Sequence, residues 1–340
     1  MIVQIVKPKV LITGASGFIG SHIVSSALER GWDVYAGIRS TSSRSTLSDE
    51  RLNFFHVDFD RVDELKTDLI DFAKTSGGFQ YVIHNAGITK PKDTDEFYRG
   101  NALFTQAFAE AIFDSQPGFR KFIFVSSIAA LGPGNPVTFD PITESMKPGP
   151  ITPYGQSKLK AEELLSNIDG LPYVIIRPSA VYGPRDEKMI GRLIGMFKRG
   201  IEVRLGPSDQ RLSFVHVEDL AVVILDACSI NLLGRAFNIS DGGIYSQIEL
   251  YKTIIANLNV QTVAVRIPTW ALMTVGYVLF KVLSSFGKQV HLSHYKMREL
   301  TAKNWIIDIG NAQRNLNYRP VYNLETGIRQ SLIAMHKTPG

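Results

Sequence analysis

The run Val10–Ile23, "VLITGASGFIGSHI", constrains this chain more than any other stretch. An apolar, β-favouring segment runs into Gly14, and Gly14-x-x-Gly17-x-x-Gly20 opens a segment that reads as a helix. Each glycine has a separate physical reason. Gly14 permits the tight turn, Gly17 lets backbone N–H groups approach a pyrophosphate, and Gly20 lets the helix pack close on the strand. The helix start then offers unpaired N–H groups to an anion. With a strand before it and a helix after it, this loop is expected to hold a dinucleotide rather than to serve as a bare turn.

The rest of the first half extends the same logic. "KVLIT", "DVYAGI", "LNFFHV", "QYVIHN", "RKFIFVS" and Pro172–Pro178 read as buried strands. Amphipathic segments such as Phe18–Arg30, Val62–Lys74 and Asp95–Phe113 lie between them. Strands alternating with helices imply βαβ units. The fold class is therefore α/β, a doubly wound parallel sheet with a smaller C-terminal α+β substrate lobe. The expected domains are residues 1–184 for the sheet and 185–340 mainly for the lobe, with about 208–240 returning to the core. Short strands near Glu202–Leu205, "RAFNI" and "VAVRI" are expected in the lobe.

Composition narrows the partners. Lys and Arg number 37 against 32 Asp and Glu, a small surplus with no basic arm, so no nucleic acid is expected. The one cysteine, Cys228, excludes an internal disulfide framework or cysteine metal site. None of the histidines, His22, His56, His84, His216, His291, His294 and His336, forms an HExxH-type pair, so no metal is expected. "MIVQIVKPKV" is too short in its apolar part for a signal peptide, and a cytoplasmic location is expected.

Tyr154 and Lys158 stand four apart in "TPYGQSK", and Pro153 suits the first turn of a helix. An ammonium beside a phenol favours the phenolate, so Tyr154 reads as a general acid/base. Several motifs together resemble the extended short-chain dehydrogenase/reductase family, which includes nucleotide-sugar epimerases and dehydratases. They are TGASGFIG, "VIHNAG" (Val82–Gly87), "FVSSIAALG", "YGQSK", "RPSAVYGP" and "FVHVEDLA", in family order over residues 10–220. The resemblance implies a Rossmann domain with Ser127, Tyr154 and Lys158 as catalytic residues. For the cofactor it implies contacts from Gly14, Ser16, Gly17, Phe18, Ile19, Asp58, Phe59, Asn85, Ala86, Gly87, Tyr154, Lys158, Pro178 and Val181. Asn101 matches a structural asparagine of the family. His84 and His216 match packing positions of the family, and Asp219 is expected to cap or brace the next helix.

The second strand bears on which dinucleotide binds. The family's acidic position, which accepts from ribose hydroxyls in NAD-selective sites, falls on Ile38, and Arg39 follows. An arginine there can clamp a 2′-phosphate, with Arg44 assisting. NADP(H) is expected as the preferred cofactor, with NAD(H) possible.

Two departures bear on substrate. Nucleotide-sugar epimerases often carry Asn where this chain has Ala180, and Arg where it has Leu212, with Arg211 one step off. The pattern looks more like the dihydroflavonol-reductase and 3β-hydroxysteroid-dehydrogenase branches. The expected reaction is hydride transfer with a secondary alcohol or ketone of a small, apolar molecule. A nucleotide-sugar epimerase or dehydratase is the alternative, and an NADP-binding redox sensor the second. Pro268–Gly287 reads first as a helix over an apolar pocket. Contact with a membrane surface is a second reading of it, and spanning a third. Family members often dimerise through helices matching Asp95–Phe113 and Tyr154–Asn167, so a homodimer is expected.

Overall fold

In this computed structural model, residues 7–58, 61–89, 91, 93–268, 270, 271, 274 and 294–337 are described. Six apolar runs form strands: β1 (Lys9–Thr13), β2 (Asp33–Ile38), β3 (Asn53–His56), β4 (Tyr81–His84), β5 (Lys121–Val125) and β6 (Tyr173–Pro178). Further along come β7 (Ala180–Tyr182), β8 (Ile201–Leu205), β9 (Arg211–Leu212), β10 (Phe214–His216), β11 (Arg235–Ile239), β12 (Val263–Ile267) and β13 (Asn304–Trp305). The main sheet has seven parallel strands in the order β11-β6-β5-β4-β1-β2-β3. Strand order reverses between β1 and β4, and in open α/β sheets ligands bind at the carboxyl ends of strands at such a reversal. "RAFNI" lies in the stretch, about 208–240, expected to return to the core, and it is not a lobe strand. It is β11, at the sheet edge, where Gly234 N–H donates to Tyr173 C=O at 2.8 Å and Phe237 is buried.

The helices before the lobe are α1 (Phe18–Glu29), α2 (Val62–Ser76), α3 (Thr94–Tyr98), α4 (Phe104–Ser115) and α5 (Pro153–Ser166). They are followed by α6 (Ile190–Phe197), α7 (Val217–Ser229) and α8 (Gln247–Leu258). The sequence pattern over Asp95–Phe113 predicts one helix. The structure inserts a π-helical turn, Arg99–Leu103, between α3 and α4. The cause is local. That turn carries Asn101, 1% exposed, whose Oδ1 accepts from Ile88 N–H at 2.6 Å while its Nδ2 donates to Ile88 C=O and Ser157 Oγ, both at 3.0 Å. π turns of this kind recur where a side chain must be re-aimed inside a helix.

The chain divides into two compact units. The first comprises Met1–Ser126, Ser157–Arg177 and Leu220–Phe237, and the second Ser127–Gln156, Pro178–Asp219 and Asn238–Gly340. In the first, β4 and β5 are buried along their whole length, as parallel strands covered on both faces must be. Leu11, Val82, Phe122 and Phe124 of the sheet form one core with Leu65, Leu69, Phe108 and Ile112 of α2 and α4. Phe72 and Phe79 stack at 4.3 Å at its edge. Cys228 is buried beside Lys121, whose Nζ donates to the Ala227 and Ile230 carbonyls at the end of α7. Burial pushes the Cys228 thiol up to about 12. The second unit has its own core, in which Tyr182, Phe197, Phe214, Tyr251, Ile254 and Ile328 pack together. Among the described residues no helix is long and apolar enough to cross a membrane.

A buried polar chain ties β1, β4 and the π turn together. His84 Nδ1 lies 2.8 Å from Thr13 Oγ1 and its Nε2 lies 3.0 Å from Thr105 Oγ1. Thr105 Oγ1 donates its proton to Asn101 C=O at 2.7 Å, so it accepts from His84 Nε2–H. Nδ1 then accepts from Thr13, whose Oγ1 in turn accepts from Ala86 N–H at 3.2 Å. Every proton in the chain has one place, and the imidazole is neutral. Burial, with the Lys158 charge nearby, pushes its pKa down to about 3. The sign follows from linkage. The unfolded chain takes up a proton near pH 6.5 that the folded state refuses until about 3, so stability falls as pH drops through that window. The slope from this residue is about 1.4 kcal/mol per pH unit. Urea unfolding at pH 7.5 and pH 5 is expected to show a steeper loss in the wild type than in His84→Asn, and equal slopes would contradict the neutral assignment.

Candidate active site

The glycine loop is a cradle that side chains would fill. Gly14 has φ +66°, and a Cβ there would stand 2.9 Å from the backbone of Ala86. A Cβ on Gly20 would collide with the Gly14 carbonyl. Gly17 is the N-cap of α1, which has no side-chain cap and no acidic residue in its first turn, so its N-terminal dipole faces the loop unopposed. These residues fit a dinucleotide's pyrophosphate. Ser16, Phe18 and Ile19 sit half-buried along this turn.

The run Asn85–Gly87 after β4 is packed on that loop. Asn85 Nδ2 donates to Gly14 C=O at 3.4 Å. A Cβ on Gly87 would lie 3.2 Å from Asn101 Oδ1 and 3.3 Å from Lys158 Nζ. The first unit therefore brings Gly14, Asn85, Ala86, Gly87 and Lys158 into one neighbourhood. Lys158 is 3% exposed, donates to Val125 C=O at 2.9 Å and stands 4.6 Å from the Phe124 ring centroid. Burial pushes its pKa down to about 8, and Glu162, one turn further along α5, opposes that.

Glu162 is a residue that sequence reasoning missed. It accepts from Ser126 Oγ at 2.5 Å and from Arg177 Nη2 at 2.6 Å, and this buried cluster clamps α5 to β5 and β6. The available signal was its spacing, four residues from Lys158 and eight from Tyr154. The same contacts separate the two serines. Ser126 points to Glu162, whereas Ser127 begins the second unit and accepts from Ala129 N–H at 3.2 Å.

In the second unit Ser127 and Tyr154 are joined by a side-chain hydrogen bond. α5 begins at Pro153, so Tyr154 and Lys158 lie on one face of its first turns, and the boundary between units falls inside this helix. The balance at Tyr154 differs from the sequence expectation. Burial pushes its pKa up to about 12, Glu299 adds to that, and the Ser127 hydrogen bond pulls it down. Glu299 lies on the helix His294–Thr301, and nothing in the sequence marked it.

Arg39 is exposed just past β2, with its N–H donating to Ser42 Oγ at 3.0 Å. Arg44 stacks on Phe54 at 4.4 Å. Their loop touches the glycine loop through Thr46 Oγ1, which donates to Ser16 C=O at 3.4 Å. Asp58 lines a small polar cleft with His56, Arg61 and Glu64, and Phe59 lies outside the described residues. Pro178 and Val181 belong to the second unit, where β7 pairs with β10 in register Val181↔Val215. His216 is fully buried against Tyr182 and Tyr322 and is pushed down to about 4 by burial. Asp219 accepts from Val321 and Tyr322 N–H and so braces the segment before the C-terminal helix Leu324–Lys337. Among the described residues no cluster of three metal-ligating side chains occurs.

Comparison with known proteins gives this geometry a lineage. The family model described as "NAD dependent epimerase/dehydratase family" matches residues 10–240. The chain is 27% identical over 336 residues to the UDP-glucose 4-epimerase of Vibrio cholerae, covering 95% of this chain and 94% of that protein. It is 25% identical over 298 residues to the ceramide reductase of Caulobacter vibrioides, covering 87% and 85%. Its fold matches the crystal structure of a Thermotoga maritima UDP-glucose 4-epimerase with a TM-score of 0.77 at 23% identity, over 97% of this chain and 99% of that one. A dinucleotide cradle at the sheet's switch point, a Tyr-x-x-x-Lys helix and a family match over most of the chain lead to one conclusion: the chain belongs to the NAD-dependent epimerase/dehydratase family and is an enzyme of the extended short-chain dehydrogenase/reductase type.

Proposed function

We propose that the protein is an NADP(H)-dependent oxidoreductase that interconverts a ketone and a secondary alcohol on a small, apolar molecule. The observation that carries this reading is the pair of positions at which anion handling is replaced. Ala180 is exposed at the start of β7, and Leu212 turns into the cluster around Tyr182 and Phe214. Alternation along β9 sends Arg211 the opposite way, so it does not stand in for Leu212. When bound, NADPH supplies the hydride. The chain's own residues handle the oxygen and its proton. Ser127 Oγ–H donates to the ketone oxygen and orients it, and Tyr154 gives its phenolic proton to that oxygen as it becomes an alcohol. A phenol pushed up to about 12 is loaded with its proton at neutral pH, the form that reduction consumes. Lys158, one turn along α5 from Tyr154, keeps its positive charge below about pH 8. In this reading the enzyme is cytoplasmic and a homodimer. Leu103 of the π turn at 43% and Phe113 of α4 at 37% exposure supply an apolar edge for a contact through the segments Asp95–Phe113 and Tyr154–Asn167.

A second reading, a nucleotide-sugar epimerase, is favoured by the full-length similarity to the Vibrio cholerae enzyme. Incubation with UDP-sugars distinguishes the two, because an epimerase returns product without added cofactor. With NADPH and an apolar ketone panel, Tyr154→Phe is expected to abolish turnover and leave cofactor affinity within about twofold. Turnover retained in that variant would remove Tyr154 from the proton step.

Reduction is expected to hold steady through neutral pH and to fall as pH rises through about 8, where Lys158 loses its charge. A kcat/KM profile flat to pH 9.5 would separate Lys158 from the proton step. The cofactor is decided at Arg39. Its planar fork meets a 2′-phosphate with no carboxylate at Ile38 opposing it. NADPH is expected to bind about ten- to a hundredfold tighter than NADH. Arg39→Ala should close most of that gap by weakening NADPH alone. Equal affinities in the wild type would make Arg39 a solvated surface residue.

A further inference from the structure

Lys158 and Glu162 stand one turn apart on α5, and both are buried. Both reach the carboxyl end of β5. Lys158 Nζ donates to Val125 C=O at 2.9 Å, and the next residue, Ser126, donates its Oγ–H to Glu162 Oε1 at 2.5 Å. β6 supplies a third point. Val125 pairs with Ile176, so Arg177 follows beside Ser126, and its Nε and Nη2 donate to Glu162 at 3.0 and 2.6 Å. Arg177 Nη1 is buried without a hydrogen-bond partner among the described residues, so Glu162 is the carboxylate on which this guanidinium is spent. Apolar residues of the same volume often serve stability as well as a buried ion pair does. A forked pair adds direction. Here it fixes the rotation and the height of α5 against β5.

The groups around Lys158 give Glu162 a second role. β5 presents the Val125 carbonyl and the Phe124 ring, β4 the neutral His84, and the turn after β4 the Gly87 backbone. Arg177 of β6 is a cation and is tied to Glu162. On α5 itself Tyr154 precedes Lys158 by one turn and Glu162 follows it by one. Glu162 is the carboxylate that opposes the effect of burial on the ammonium. We infer that Glu162, held by Ser126 and Arg177, is the positioning residue of Lys158, setting where the ammonium lies at the end of β5 and keeping it charged. The inference rests on the proposed function for the part Lys158 plays in the reaction, and on contacts within the first unit for everything else.

The first arm of the test needs no ligand. Urea unfolding is followed from about pH 6 to about pH 10 for the wild type, Glu162→Gln and Glu162→Asp. Each is compared with its own Lys158→Met derivative, so the difference reports Lys158. The folded ammonium loses its proton near pH 8 and the unfolded one near 10.5, so this difference in stability rises with pH from about 8. In Glu162→Gln the rise is expected to begin about one pH unit lower. In Glu162→Asp it is expected to return toward the wild-type onset. A residue that only braced the helix would lower stability and leave the onset in place, and that result overturns the proposal. Should Glu162→Gln fail to fold, E162Q/R177Q removes both charges together and leaves neither unmatched, and the same shift is expected. In the second arm the same variants reduce, with NADPH, the ketone of the apolar panel that the wild type turns over fastest. The alkaline limb of kcat/KM is expected to move with the onset. An onset that moves while the limb stays upholds Glu162 and removes Lys158 from the reaction. Turnover of no ketone removes the proposed function and leaves the first arm to decide on Glu162.

Discussion

The approach of Gly14 to the backbone of Ala86 is the constraint on which the rest of the first unit depends. It holds the carboxyl ends of β1 and β4 at a separation that no side chain at position 14 would allow. From Ala86 the order propagates in two directions. One passes through Thr13 and His84 to Thr105 and Asn101, and the other through Gly87 to Lys158. A buried, fully satisfied polar chain of this kind resists partial rearrangement, because breaking one link leaves a desolvated donor or acceptor.

Helix α5 is governed by opposing electrostatic demands. Burial raises the Tyr154 phenol and lowers the Lys158 ammonium, so each is held toward its neutral form. Glu162 restores part of the lysine's charge and Ser127 part of the tyrosine's acidity. Desolvation of this kind draws an ordinary phenol and an ordinary amine away from their solution behaviour.

Much of this was legible because the governing forces are local. Strands β1, β4, β5 and β6 announced themselves as continuous apolar runs, the signature of strands covered on both faces. Pro153 marked the start of α5 because its fixed φ suits the first turn and its missing N–H costs nothing there. The rest depended on tertiary partners that no window of sequence contains. The π turn at Arg99–Leu103 exists to satisfy Asn101 against Ile88 and Ser157. Glu299 reaches the electrostatics of Tyr154 from a helix 145 residues further along the chain. β8 and β12 read as short strands in the sequence, but their order beside one another depends on a pairing that no window of sequence contains.

Cys228 has a practical consequence. It is the single thiol of the chain, 3% exposed, and at neutral pH it stays protonated behind the Lys121 and α7 contacts. Thiolate is the reactive species, so this sulfur is inert toward maleimides and disulfide reagents in the folded protein. The natural sequence is therefore already a background-free host for single-site chemistry. One cysteine introduced at a surface position carries a fluorophore or spin label alone, with no need to remove the native residue and disturb the core around it.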